Sequence, residues 1–112
     1  MSDNFSALTG FGFVLFLEDE DDESMDFDAI TAAAENIEGI SVEVCGDLVI
    51  GPSGIFVLLE DTYQETYMTH SDPIKLRTID PSEIAKLKQF AQDNSIELAD
   101  DAIGWRVTGY YG

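Results

Sequence analysis

The first 74 residues of this 112-residue chain contain seventeen Asp or Glu residues and neither Lys nor Arg. The remaining residues contain six acids and five bases, so the formal net charge of −18 falls almost entirely on the first two thirds. Self-repulsion at this charge density lowers the stability of a folded protein, so some other requirement must maintain it. Nucleic acids and anionic membranes bind positive surfaces, and we expect neither as a direct partner. A basic protein, a cation or water at high salt suits such a chain.

An apolar run and an acidic run adjoin near the N-terminus. Residues 11–17 read Phe-Gly-Phe-Val-Leu-Phe-Leu, and six carboxylates follow at residues 18–23. A short run of aromatic, β-branched and Leu residues predicts a strand that is buried on both faces and is therefore central in its sheet. The acidic run is then the loop that leaves this strand.

The chain is apolar enough to fold around a core. Apolar residues make up 45% of it and include seven Phe, four Tyr and one Trp, which is too many for a disordered acidic chain. The length predicts one domain over residues 1–112, and the single cysteine, Cys45, fits a reducing cytoplasm. Without a positive N-terminal region or an apolar run longer than seven residues, neither a secretory signal nor a membrane span is expected. We therefore expect a soluble cytoplasmic protein.

Hydrophobic periodicity predicts two helices. Phe27, Ile30 and Ile37 recur at helical spacing, and Gly39 suits the position just after such a helix of about 11–13 residues. Residues 80–83, Asp-Pro-Ser-Glu, combine an N-cap, a first-turn proline and a capping box, and an apolar stripe follows them.

Alternating apolar residues and one continuous apolar run predict further strands. These lie at residues 40–45, 55–59 and 103–108, with a charged edge strand at 74–79. The resulting order is β-α-β-β-(β)-α-β. Two βαβ halves around a hairpin predict an α+β ferredoxin-like sandwich, in which two helices cover one face of an antiparallel sheet.

Few residues of this chain suggest catalysis or metal binding. His70 is the single histidine and has no Ser or Cys motif around it, and Cys45 is expected to be a buried, inert thiol. One His and one Cys do not make an ordinary zinc site. Loops that start at Asp19 or Asp21 lack the Gly and the final Glu of a calcium-binding EF-hand. We expect no enzymatic activity, no metal and no cofactor.

The acidic residues instead suggest a surface that resembles DNA. Duplex DNA carries about one phosphate per 3.4 Å of axis on each strand, and carboxylates on loops, strand ends and helix faces sample similar spacings. We therefore expect a non-enzymatic inhibitor that binds a basic, nucleic-acid-binding protein through a DNA-like negative surface. The residues expected to contribute most are Glu18, Asp19, Asp21, Asp22, Glu23, Asp26, Asp28 and Glu35.

Other acidic residues extend this field, and exposed tyrosines offer interface anchors beside it. The extending residues are Glu38, Glu43, Asp47, Glu60, Asp61 and Glu65, and the tyrosines are Tyr63, Tyr67, Tyr110 and Tyr111. Small acidic inhibitors carried by phages and mobile elements are similar in this general character. They make an anti-defence role in a host cytoplasm, as a monomer or a homodimer, the leading hypothesis.

Two alternatives stay open. An immunity-type neutraliser of a basic enzyme needs the same charges, but it can bind beside the catalytic cleft rather than at a DNA site. A salt-adapted adaptor is also acidic and poor in Lys and Arg. Salt adaptation spreads acids over the whole surface, however, and does not predict the balanced charge of the last third.

Overall fold

The computed structural model describes residues 5–16, 27–47, 53–67, 71 and 73–111. These residues form an α+β fold with a mixed five-stranded sheet and two α-helices. The elements are β1 (Phe5–Phe16), α1 (Phe27–Glu35), β2 (Ile40–Asp47), β3 (Ser53–Leu59), β4 (Gln64–Tyr67), α2 (Pro81–Asp93) and β5 (Gly104–Tyr111). A 3-10 turn, Glu60–Thr62, joins β3 to β4. Neither of these helices has the length and apolar character needed to cross a membrane.

β1 is the central strand of the sheet, as the apolar run predicts. It pairs antiparallel with β5 along one edge and with β3 and then β4 along the other. The strand starts at Phe5, well before the predicted start at residue 11. Its first half does not stand out in the sequence because Ser6, Thr9 and Gly10 interrupt the apolar pattern.

The strand pairings close into a ring. β2 pairs antiparallel with β3 and, through Gly46 and Asp47, parallel with Tyr110 and Tyr111 of β5. Because β1 pairs with both β3 and β5, the ring runs β1–β3–β2–β5 and back to β1. The predicted ferredoxin-like sandwich is not confirmed, since the strand order β3-β2-β5-β1-β4 and the parallel pairing both differ from it. Local sequence patterns identify the strands. Which strands pair with each other depends on contacts between residues that are far apart in the chain.

β1 and β3 approach each other closely at Gly12. A Cβ atom on Gly12 would lie 1.9 Å from the Val57 carbonyl oxygen, so only glycine permits this close approach. Glycine positions of this kind let a sheet curve enough to close on itself. Phe5 and Phe16 at the two ends of β1 line one cavity of about 550 Å³ beside the end of β2.

Apolar side chains pack in two clusters on opposite faces of the sheet. The outer cluster joins the sheet to both helices, and its buried members are Phe11, Phe13, Ile30, Ala34, Ile40, Ile55, Val57, Leu59, Leu87, Phe90, Ala91 and Ile96. The inner cluster is made of Leu8, Cys45, Phe56 and Leu58, with Val14, Tyr63 and Tyr110 packed against it. Alternate residues of β3 enter the two clusters, so this strand is buried on both faces.

The helices form where their sequence signals lie. The capping box of α2 is present, because the Glu83 carboxylate accepts a hydrogen bond of 2.9 Å from the Asp80 N–H. α1 is shorter than predicted and ends at Glu35, and the chain then turns through Gly39 at φ +90°. Lys86 of α2 donates to the carbonyl oxygen of Glu38 just after α1, where a cation offsets the helix dipole.

The predicted edge strand at residues 74–79 is wrong, because residues 73–80 contain no regular secondary structure. Instead, the side chain of Gln64 on β4 binds the backbone of this segment. Its amide donates to the Lys75 carbonyl at 2.9 Å and accepts from the Lys75 N–H at 2.7 Å. A side chain thus supplies the partner that a neighbouring strand would otherwise provide.

Candidate protein-binding surface

Only part of the predicted acidic surface falls within the described residues. Glu18, Asp19, Asp21, Asp22, Glu23 and Asp26 lie outside them, as does His70. The two remaining residues, Asp28 and Glu35, are both exposed on α1. They stand seven positions apart, which places them on one face of the helix and about 10 Å apart along its axis.

α1 turns this acidic face away from the core. Ile30 and Ala34 are buried in the outer cluster, so the face that carries Asp28 and Glu35 points to solvent. Asp28 lies in the first turn, where a negative charge stabilises the helix dipole. The position of these two carboxylates is therefore set by packing on the opposite side of the helix.

Glu35 also belongs to a groove between the end of α1, the start of β2 and the turn after β3. This cavity has a volume of about 410 Å³, and Glu35, Glu38 and Glu60 contribute its three carboxylates. The Glu60 N–H donates to the Gly39 carbonyl at 2.8 Å, which fixes the turn after β3 against the end of α1. We call these three residues the acidic groove. Glu35 and Glu60 are 25 positions apart in the chain, and only folding brings Glu60 to the helix.

One described cation lies beside the acidic groove. The ammonium group of Lys86 binds the Glu38 carbonyl, and a Cβ atom on Gly39 would lie 3.1 Å from it. Lys86 therefore reduces the negative charge at one end of the groove. The groove still contains more carboxylates than cations among the described residues.

The described arginines bind elsewhere. Arg77 forms ion pairs with Asp61 at 2.9 Å and with Glu83 at 2.8 Å, and Arg106 donates to the backbone carbonyls of Asp101 and Ala102.

Hydrogen bonds from Arg77 and from the backbone of Asp80 lower the pKa of Glu83 to about 2. Asp61, which the sequence places in the acidic field, is thus held by a cation. We call Arg77, Asp61 and Glu83 the arginine latch.

A second group of carboxylates lies at the edge of the inner cluster. Glu43, Tyr63, Glu65 and Tyr110 line a cavity of about 300 Å³ together with Leu8 and Val44, and we call these six residues the inner mouth. Burial raises the pKa of Glu43, a hydrogen bond with Ser41 lowers it, and repulsion from Glu65 raises it further. Burial and the nearby carboxylates also raise the pKa of Tyr63 to about 12.

Sequence reasoning names most members of the inner mouth but does not group them. They come from β1, β2, β4, β5 and the residue before β4, so no local spacing connects them. The alternation of Glu43 with Val42 and Val44 indicates which face of β2 it occupies, but not that β4 brings Glu65 to the same place.

The described residues show no arrangement for nucleophilic or metal chemistry. Cys45 is fully buried in the inner cluster, and burial raises the pKa of its thiol. Among the residues described here, no three His, Cys, Asp or Glu side chains are grouped so as to hold a metal ion. Comparison of the chain with protein-family models, with curated proteins and with solved structures finds no match. The acidic groove and the inner mouth are therefore the two candidate binding sites of the described structure.

Proposed function

We propose that this chain is a non-enzymatic acidic inhibitor that binds a basic, nucleic-acid-binding protein by presenting a DNA-like negative surface. The observation that supports this most directly is the acidic groove, where Glu35, Glu38 and Glu60 meet in one cavity. A field of this sign attracts a basic partner over a distance and raises its rate of association.

The spacing of the carboxylates favours a target that normally binds nucleic acid. Asp28 and Glu35 are separated by about 10 Å along α1, which corresponds to roughly three phosphate steps on one DNA strand. The acidic groove continues the same negative surface beyond the end of the helix. The backbone hydrogen bond between Glu60 and Gly39 holds the turn after β3 against the end of α1. A partner would therefore meet these carboxylates in fixed positions.

Capture of the partner tests this proposal. The tagged chain is incubated with host-cell lysate at about 0.1 M salt and at about 0.5 M salt, and bound proteins are challenged with duplex DNA. We expect one basic, DNA-binding partner that DNA displaces and that high salt weakens. Absence of an enriched partner at either salt would reject the proposal.

A matched pair of triple variants assigns the binding to the acidic groove. E35Q/E38Q/E60Q removes three negative charges from the groove, and E97Q/D100N/D101N removes three from exposed residues before β5. Both variants have the same net charge, so a purely general attraction would weaken equally in both. We expect the groove variant to lower affinity by roughly tenfold or more relative to the control variant.

Charge reversal of Glu18, Asp19, Asp21 and Asp22 extends the test to the acidic run. We expect weaker capture with an unchanged or higher Tm, because self-repulsion falls. Loss of capture that is accompanied by unfolding would contradict a binding role for these residues. A partner that DNA cannot displace would favour the immunity-type alternative, and a partner that stays fully active would favour the adaptor.

A further inference from the structure

The inner face of the sheet has no helix packed on it among the described residues. Its cluster draws on β1, β2, β3 and β5, whereas both helices pack on the outer cluster. Leu8, Phe56 and Leu58 are almost completely buried there because the ring of strands encloses them. The inner mouth is the opening of this strand-enclosed cluster to solvent.

Two carboxylates line the inner mouth. Glu43 stands on β2 and Glu65 on β4, and both line the cavity of about 300 Å³. Ser6 donates to one oxygen of Glu65 at 3.0 Å, and the Tyr63 hydroxyl lies 3.4 Å from the other. These neighbours fix the Glu65 carboxylate, and each of its oxygens keeps lone-pair capacity for a further donor.

The rest of the inner mouth is apolar or aromatic. Tyr63 and Tyr110 flank the carboxylates, and Leu8 is 3% exposed at the base of the cavity. The cationic groups of Arg77, Lys86 and Arg106 each bind oxygen atoms at other places in the described structure. The mouth therefore combines negative charge with ring surfaces and an apolar base.

We propose that the inner mouth receives an arginine side chain of the basic protein partner. The two carboxylates match the several N–H donors of a guanidinium group, and the tyrosine rings offer faces on which a planar cation stacks. The apolar base suits the methylene stem of the same side chain. This inference rests on the proposed function, because it takes the partner to be a basic protein, and it adds a contact separate from the acidic groove.

A titration with short peptides tests the inference without the partner. The full chain, labelled with ¹³C and ¹⁵N, is titrated with acetyl-Gly-Arg-Gly-amide and with the matched lysine and citrulline peptides. We expect the arginine peptide to bind with a Kd on the order of 1 mM and to shift ring signals of Tyr63 and Tyr110 and the amide of Glu65. The lysine peptide should bind several-fold more weakly, and the neutral citrulline peptide should leave these signals unchanged.

Two double variants provide the control. E43Q/E65Q keeps side-chain shape and hydrogen-bond acceptors but removes both charges of the mouth, and E97Q/D100N removes two charges from exposed positions outside it. We expect arginine-peptide affinity to fall about tenfold or more in E43Q/E65Q and to change less than twofold in E97Q/D100N. The amide spectrum of each free variant shows whether the fold is kept, and Y63F serves as a second, milder variant that keeps the ring.

Three results would overturn the inference. One is equal binding of the arginine and lysine peptides. Another is arginine binding that E43Q/E65Q does not weaken more than E97Q/D100N. The third is an identical set of shifts with Mg²⁺ alone at lower concentration, which would indicate a metal-binding site.

The same variants separate this inference from the proposed function. If E35Q/E38Q/E60Q reduces partner capture while the peptide titration fails, the inhibitor proposal stands and the arginine contact is rejected. If the peptide binds at the inner mouth but no partner is captured, arginine recognition is supported and the inhibitor proposal is rejected.

Discussion

Glu60 and Asp61 are neighbours in the chain, yet their carboxylates lie in opposite electrostatic surroundings. Glu60 lines the acidic groove with Glu35 and Glu38, whereas Asp61 lies 2.9 Å from the guanidinium group of Arg77. The first carboxylate adds to a surface that keeps an excess of negative charge beside Lys86, and the second helps to hold the chain together. Negative charge in the sequence therefore marks two different kinds of residue in this fold.

The arginine latch gives one base of the last third of the chain a structural role. Arg77 joins the irregular segment 73–80 to the turn after β3 through Asp61 and to α2 through Glu83. Glu83 is also part of the capping box, so one carboxylate serves the helix start and the latch at once. Arg77 thus stabilises the fold, while the carboxylates of the acidic groove remain in excess.

Removal of the latch cation should have the largest effect on stability. Arg77→Gln breaks both ion pairs and leaves Asp61 and Glu83 without their cation, so we expect Tm to fall on the order of 5 °C. Lys88→Gln is the matched control, because it removes one positive charge from an exposed position of α2. We expect it to change Tm by about 1 °C or less, as measured by circular dichroism. Equal effects of the two variants would show that the latch contributes only its net charge.

The loss of stability at acidic pH should report the ion pair between Arg77 and Glu83 in the arginine latch directly. The pKa of Glu83 is about 2 in the folded chain against 4.5 for the free group, so its contribution is fully present above pH 4.5. It is lost as the pH falls towards about 2. We expect Glu83→Gln to be less stable than the wild type at pH 6 and the difference to shrink between pH 4.5 and 2 in a Tm series. A difference that stays constant with pH would contradict the assigned ion pair.

The arginine latch also shows how far sequence reasoning reaches in this protein. The capping box and apolar stripe of α2 lie within a few residues of each other, and both are confirmed. Ring closure needs Gly46 and Asp47 to meet Tyr110 and Tyr111, which are far away in the chain. The sequence shows that residues 1–74 are acidic, but not that Asp61 pairs with Arg77 while Glu60 lines the acidic groove. That distinction depends on where Arg77 lies after folding.

Single substitutions at the neighbouring acids should change stability in opposite directions. Glu60→Gln removes a repelled charge from the acidic groove, and we expect it to raise Tm by about 2 °C at low salt. Asp61→Asn weakens the arginine latch, and we expect it to lower Tm by about 2 °C. Both changes remove one negative charge, so a common sign would mean that net charge alone decides stability. Salt at about 0.5 M should reduce the gain from Glu60→Gln, because screening already relieves the repulsion.

Substitution of Glu43 should have the smallest effect on Tm, because Glu43 belongs to neither the acidic groove nor the arginine latch. Burial is the largest cause of its raised pKa, so the folded state favours the protonated carboxyl group more than the unfolded chain does. The stability that this preference provides is present below the ordinary value of 4.5 and is lost as the pH rises through the raised value. Glu43→Gln, which is neutral at every pH, should therefore raise Tm by about 1 °C at pH 7 and by less near pH 4, as followed by calorimetry. A gain that is equally large at both pH values would mean that the charge of Glu43 is not what the inner mouth disfavours. A loss at pH 7 would show that the carboxylate makes a stabilising contact that the glutamine cannot replace.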